Sequence, residues 1–158
     1  MTDWLDDEIQ RATERGETRK LKLARRESDE EIIAAKGRGF WSHLIASLAA
    51  SVDRFNNRPG AGESIAISSP PHDDNQININ TPGYPNAQML LRFLDNGTGI
   101  AVSMIEHQTP RSSGNRVLEV TIEFVVNADG QIMGRFENTL KDVSATTETL
   151  LKKVFRYI

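Results

Sequence analysis

The chain contains no cysteine, which excludes a disulfide framework, a cysteine-based zinc site and a thiol nucleophile. It also has no apolar run near the ~20 residues that a membrane helix needs. Its opening segment, Met1 to Glu8, carries Asp3, Asp6, Asp7 and Glu8, where a secretory signal requires a basic start and an apolar stretch. Aromatic residues make up only 6% of the sequence. Glycine and proline are nearly missing from the first 36 positions, Gly16 being the exception. What remains is a chain of 158 residues with net charge −3, a length that fits one domain of ~100–200 residues. A soluble, cytoplasmic protein is expected, with no membrane partner.

The small net charge hides a strong segregation. Four acids in the first ten residues precede Arg11, Arg15, Arg19, Lys20, Lys22, Arg25 and Arg26, which face only Glu14 and Glu17. Glu27, Asp29, Glu30 and Glu31 follow. Nearly every residue of 3–36 is a competent helix former, so one long helix is predicted, capped by Thr2 or Asp3. Alternating steps of four and three trace the seam Leu5, Ile9, Ala12, Gly16, Arg19, Leu23, Arg26, Glu30 and Ile33. About half of it is apolar, too little for a self-sufficient coiled coil. Pairs such as Asp7 with Arg11 and Arg25 with Asp29 would lace a solvated helix. Alternatively, residues 1–36 form an arm that docks on a second subunit through Trp4, Leu5, Ile9, Leu23 and Ile33.

Gly37-Arg38-Gly39 is expected to end the arm, leaving 40–158 as the compact domain. Phe40, Trp41, Leu44, Ile45, Leu48, Val52 and Phe55 then recur at helical spacing as a core-facing stripe. His43 lies at its edge. From Glu63 onward the apolar period becomes two. Asn96-Gly97 predicts a two-residue hairpin with both residues at positive φ, setting Phe93 opposite Ile100, Leu91 opposite Val102 and Met89 opposite Met104. Asn127-Ala128-Asp129-Gly130 predicts a type I turn closed by a glycine bulge. It pairs Val126 with Ile132, Phe124 with Gly134, and Glu123 with Arg135. Ser144 is expected to cap a last helix that buries Leu150, Leu151, Val154, Phe155 and Ile158. The predicted fold is α+β: a mainly antiparallel six-stranded meander with one face covered by two helices, preceded by a long charged N-terminal helix.

The opposite sheet face is the most informative feature. Among polar residues it carries Leu90, Leu94, Ile105, Val117, Val125 and Met133, an apolar set that suggests partial cover by the arm or by a second subunit. Catalytic constellations are poor. His43, His72 and His107 follow no metal-ligand spacing. His72-Asp73-Asp74 reads as a turn with solvated acids. Glu106 and His107, adjacent at a strand end, are the only candidates for acid–base work, and no third group can be assigned to orient the imidazole. Glu119 and Glu123 stand roughly 13 Å apart by the strand rise, too far for a glycosidase pair at ~6.5–9.5 Å. No glycine loop has phosphate-cradling spacing, and no cofactor or metal is expected. The basic stripe Arg11, Arg15, Arg19 or Lys22, and Arg26 is flanked by acids and lacks aromatic residues for stacking, which argues against nucleic acid. The expected function is a non-catalytic protein-interaction or oligomerisation module whose partner is another protein or itself, a homo-oligomer such as a dimer. The alternative is a small apolar-ligand module with a cleft lined by Phe55, Met89, Met104 and Phe155.

Overall fold

A computed structural model describes residues 3–158. It begins with one uninterrupted helix, α1, from Trp4 to Asn56, about 80 Å long at 1.5 Å per residue. Asp3 occupies the N-cap with extended backbone but makes no side-chain cap bond; Thr2 lies outside the described residues. The expected break at Gly37-Arg38-Gly39 does not occur. A carbon at the Cβ position of Gly37 would lie 3.0 Å from the Gly97 carbonyl oxygen and 3.1 Å from the Phe124 ring. Gly37 thus marks where the helix crosses the sheet at close range. The Cβ of Gly39 would meet nothing within 4 Å, so that glycine does not stop the helix either. The arm and the core helix are one element.

Seven strands follow in a pure antiparallel meander: β1 (Ala66–Ser68), β2 (Gln76–Asn80), β3 (Asn86–Phe93), β4 (Gly99–His107), β5 (Asn115–Val126), β6 (Ile132–Phe136) and β7 (Thr139–Lys141). The seventh is three residues long. It is reached through Glu137 and Asn138, both at positive φ, and so short a pairing leaves no periodic signal in the sequence. Helix α2 (Val143–Phe155) closes the chain. Its N-cap is Asp142, whose carboxylate accepts the Ala145 N–H at 2.8 Å, rather than the expected Ser144. Asp142 stands at the end of β7, so the turn out of that strand decides where the helix starts.

Both hairpin registers agree with expectation. Phe93 pairs with Ile100, Leu91 with Val102 and Met89 with Met104. Val126 pairs with Ile132, Phe124 with Gly134 and Glu123 with Arg135. The first turn differs in kind. Gly97 alone has positive φ, at 72°, and its N–H bonds to Leu94 O at 2.8 Å. The Asn96 carboxamide accepts both the Thr98 N–H and its hydroxyl, at 3.1 and 2.7 Å. These bonds satisfy a four-residue loop that preserves the register of the two-residue one. The second turn is the predicted type: Gly130 N–H bonds Asn127 O at 3.1 Å, and Gly130 has φ 75°.

One core unites the layers. Phe40, Trp41, Leu44, Leu48 and Val52 of α1 pack with Leu150, Leu151 and Val154 of α2. They rest on the sheet face formed by Ile77, Ile79, Met89, Leu91, Phe93, Ile100, Val102, Met104, Ile122 and Phe124. The Trp41 indole N–H donates to Asp74 O at 2.9 Å, which satisfies the one polar atom of a side chain only 1% exposed. Thr147 of α2 donates to Ser47 of α1 at 2.8 Å. Phe55 and Phe155 stack with centroids 4.8 Å apart. Met89 and Met104, which the ligand-module alternative set along a cleft, are packed in this core, whereas Ile158, expected in the buried stripe of the last helix, lies beyond the end of α2 and is exposed. No described helix is long and apolar enough to cross a membrane.

Candidate functional site

Among the described residues, two surfaces remain unpartnered once the core is assembled. The first is the arm. From Asp3 to Glu31 all side chains are exposed apart from a half-buried Asp29, and Ile33 is the first apolar one to pack on the core. Trp4 is 73% exposed, Leu5 47%, Ile9 56% and Leu23 58%. Of the five residues expected to dock, therefore, Ile33 docks within the chain and four point into solvent. Leu21, also strongly exposed, lies off the seam of fours and threes, and periodicity alone gave no reason to single it out. The expected ion pairs form with different partners. Arg11 meets Glu8 at 3.0 Å instead of Asp7, and Arg26 meets Glu30 at 3.4 Å, while Arg25 and Asp29 are not paired. Both observed pairs are exposed and contribute well under ~1 kcal/mol.

The second surface is the outer face of the sheet. Leu90, Leu94, Ile105, Val125 and Met133 lie half-buried there, outside the core cluster. Val117, exposed, stands at a break in the strand pairing. The β4–β5 ladder pairs Met104 with Leu118 but Ile105 with Arg116, so Val117 is the extra residue of a bulge and Arg116 takes the place opposite Ile105. Arg116 then reaches Glu119 at 3.0 Å and lines a shallow depression with Leu90, Arg92, Ser103 and Thr121. Gly114, with φ 82°, carries the preceding loop back over Ile105 and His107. This leaves the middle and the far end of the face open.

The two surfaces meet in a groove of about 680 Å³, where Lys22, Arg25, Arg26, Asp29, Glu30 and Ile33 of the arm face Thr98, Glu123, Val125, Val126 and Arg135 of the sheet. Val125 and Ile33 are thus brought near each other. Leu5 and Ile9 are not, standing about 36–42 Å farther along the helix. A second groove, of about 590 Å³, opens between the helices at Ser47, Arg54, Phe55, Arg58, Thr147, Lys152 and Phe155. Sequence reasoning did not flag its arginines. Arg58 lies over the Phe55 ring at 3.8 Å and donates to Phe55 O.

Glu106 and His107 do not share a site. Adjacent strand residues point to opposite faces. The Glu106 carboxylate accepts from the Tyr157 hydroxyl at 2.9 Å and from the Gln108 carboxamide, tying the end of β4 to the tail of α2. Burial, then the hydrogen bond and charge of Glu106, raises the Tyr157 phenol above its ordinary pKa. His107 Nδ1 faces Ser112 O at 3.3 Å, and its ring lies against Gly114. His43 is exposed. Among the described residues, no three histidine or carboxylate side chains converge on a point.

Compared with protein-family models, curated proteins and solved structures, the chain gives no match in any of the three.

Proposed function

We propose that this protein is a non-catalytic self-association module, cytoplasmic and homo-oligomeric, whose contact elements are the helical arm and the outer sheet face. The observation that carries the reading is the arm. A helix prolonged about 40 Å beyond the point where it leaves the core keeps Trp4, Leu5, Ile9 and Leu23 in water. Most helical stability in proteins comes from the packing of an apolar face, which the arm lacks within its own chain, and burying each such side chain would contribute ~1.5–3 kcal/mol. A partner surface would therefore stabilise the arm as well as being held by it. The half-buried Leu94, Val125 and Met133 extend the same apolar character across the uncovered sheet face.

The test is light scattering of the full chain at high micromolar concentration. It is set beside a Leu5→Glu, Ile9→Glu, Leu23→Glu variant, whose substitutions keep helix propensity. The full chain should have twice the monomer mass or more and the variant should be monomeric. A monomeric full chain would refute the reading.

A further inference from the structure

Resting on that self-association, we infer that the partner of the arm is the arm of a second copy, running antiparallel, with Leu5 packed on Leu23 of the second copy, Ile9 beside its Arg19, and Ala12 against its Gly16. The register comes from the seam. In an antiparallel helix pair each seam residue faces a seam residue of the other strand. Around an axis between Ala12 and Gly16, the positions Leu5, Ile9, Ala12, Gly16, Arg19 and Leu23 superpose on themselves in reverse order. Leu5 and Leu23 thereby meet at both ends. The smallest residues stand at the crossing, and the Cβ position of Gly16 is open, with nothing of its own chain within 4 Å. Glycine inside an exposed helix costs about 1 kcal/mol against alanine; a close helix crossing gives it a use.

Charge decides the direction. On the flanks of the antiparallel pair, Asp6 faces Lys20 of the second copy and Glu8 faces its Lys22. Twofold symmetry repeats each contact, and among the charged flank residues only Arg15 meets its own copy. In the parallel arrangement Arg15 would lie beside Lys20, Lys22 beside Glu27, and Glu8 beside the neutral Thr13, so attraction and repulsion cancel. The antiparallel pairing has four attractive contacts against one repulsive, and the acid–base order of the arm is what produces them. It also brings the acidic start of one arm, from Asp3 through Glu8, level with Lys20 to Arg25 of the other. There Lys22 and Arg25 line the groove between arm and sheet.

The experiment uses the full chain, whose lack of cysteine makes introduced thiols unique. Leu5→Cys and Leu23→Cys chains are prepared separately, mixed, and oxidised mildly. Cross-linked dimers should form in the mixture and not in either population alone. A Leu5→Cys population that cross-links by itself overturns the antiparallel pairing while self-association stands. In parallel, Lys22→Glu should weaken the dimer about tenfold by turning two attractive flank contacts repulsive, and adding Glu8→Lys should restore it, since the pair is then reversed at both ends of that flank. A dimer that Lys22→Glu does not weaken, or that the second change does not rescue, also overturns the register. A chain monomeric by light scattering at the same concentration removes both this pairing and the self-association beneath it.

Discussion

Replacing Gly37 with alanine tests whether the helix bears on the sheet as tightly as its geometry indicates. Two effects oppose each other. In an exposed helix interior, alanine gains about 1 kcal/mol over glycine. At Gly37, however, the new methyl would stand 3.0 Å from the Gly97 carbonyl oxygen and 3.1 Å from Cδ2 and Cε2 of Phe124, closer than ordinary van der Waals contact. Neither neighbour yields easily. Gly97 is held in a left-handed turn by its bond to Leu94 O. The Phe124 ring is wedged 5.2 Å from Phe40 and 6.2 Å from Phe93. Overpacking of this kind costs about 1–3 kcal/mol, so Gly37→Ala should be neutral to ~2 kcal/mol less stable than the parent. Gly39→Ala meets no obstacle and should be up to ~1 kcal/mol more stable. The two variants should differ by ~1–3 kcal/mol, several degrees in Tm at ~2–4 °C per kcal/mol. The assay is thermal and urea unfolding by circular dichroism at one protein concentration, because self-association makes Tm concentration-dependent. Equal stability of the two alanine variants would refute the claim that Gly37 is there for close approach.

Asp142→Ala should cost about 1 kcal/mol by removing the cap of α2, whereas Ser144→Ala should change the urea midpoint little. Gly134→Ala should lose ~1–3 kcal/mol in the same assay, since its Cβ would lie 2.7 Å from the buried Ile122 and 3.3 Å from Phe40; unchanged stability would show that the sheet yields at that point. A double-mutant cycle on Glu123 and Arg135, 3.4 Å apart and exposed, should give a coupling below ~1 kcal/mol. The Tyr157 phenol, raised by burial and by Glu106, binds its proton more tightly in the folded chain than in the unfolded one. Its contribution to stability is therefore intact below the ordinary pKa of ~10 and is lost as pH rises through and beyond it. With Tyr84→Phe leaving a single tyrosine, an absorbance titration should find the midpoint above ~10. Glu106→Gln should lower that midpoint, and a midpoint indifferent to the change would refute the Glu106 contribution.

The apolar alternation, the two glycine-bearing turns and the helical stripe from Phe40 to Phe55 determined by themselves the registers of the two hairpins they close, the core face and the α+β class. Those signals are local: a side chain's face follows from the period of its element, and a short turn ties two strands whatever surrounds them. The lateral charge order of the arm was equally legible, since it is a property of the sequence alone. Tertiary structure decided what depends on neighbours distant in the chain. Gly37 looks like a helix stop until Gly97 and Phe124 are seen against it. Val117 looks like one more regularly paired strand residue until the pairing of Ile105 with Arg116 makes it part of a bulge. Glu106 and His107 look like a pair until strand geometry sends them to opposite faces, one to Tyr157 and the other to Ser112. Only the assembled core shows that Ile33 is used within the chain while Leu5, Ile9 and Leu23 are not. Burial is a relation between distant segments, and no local period encodes it.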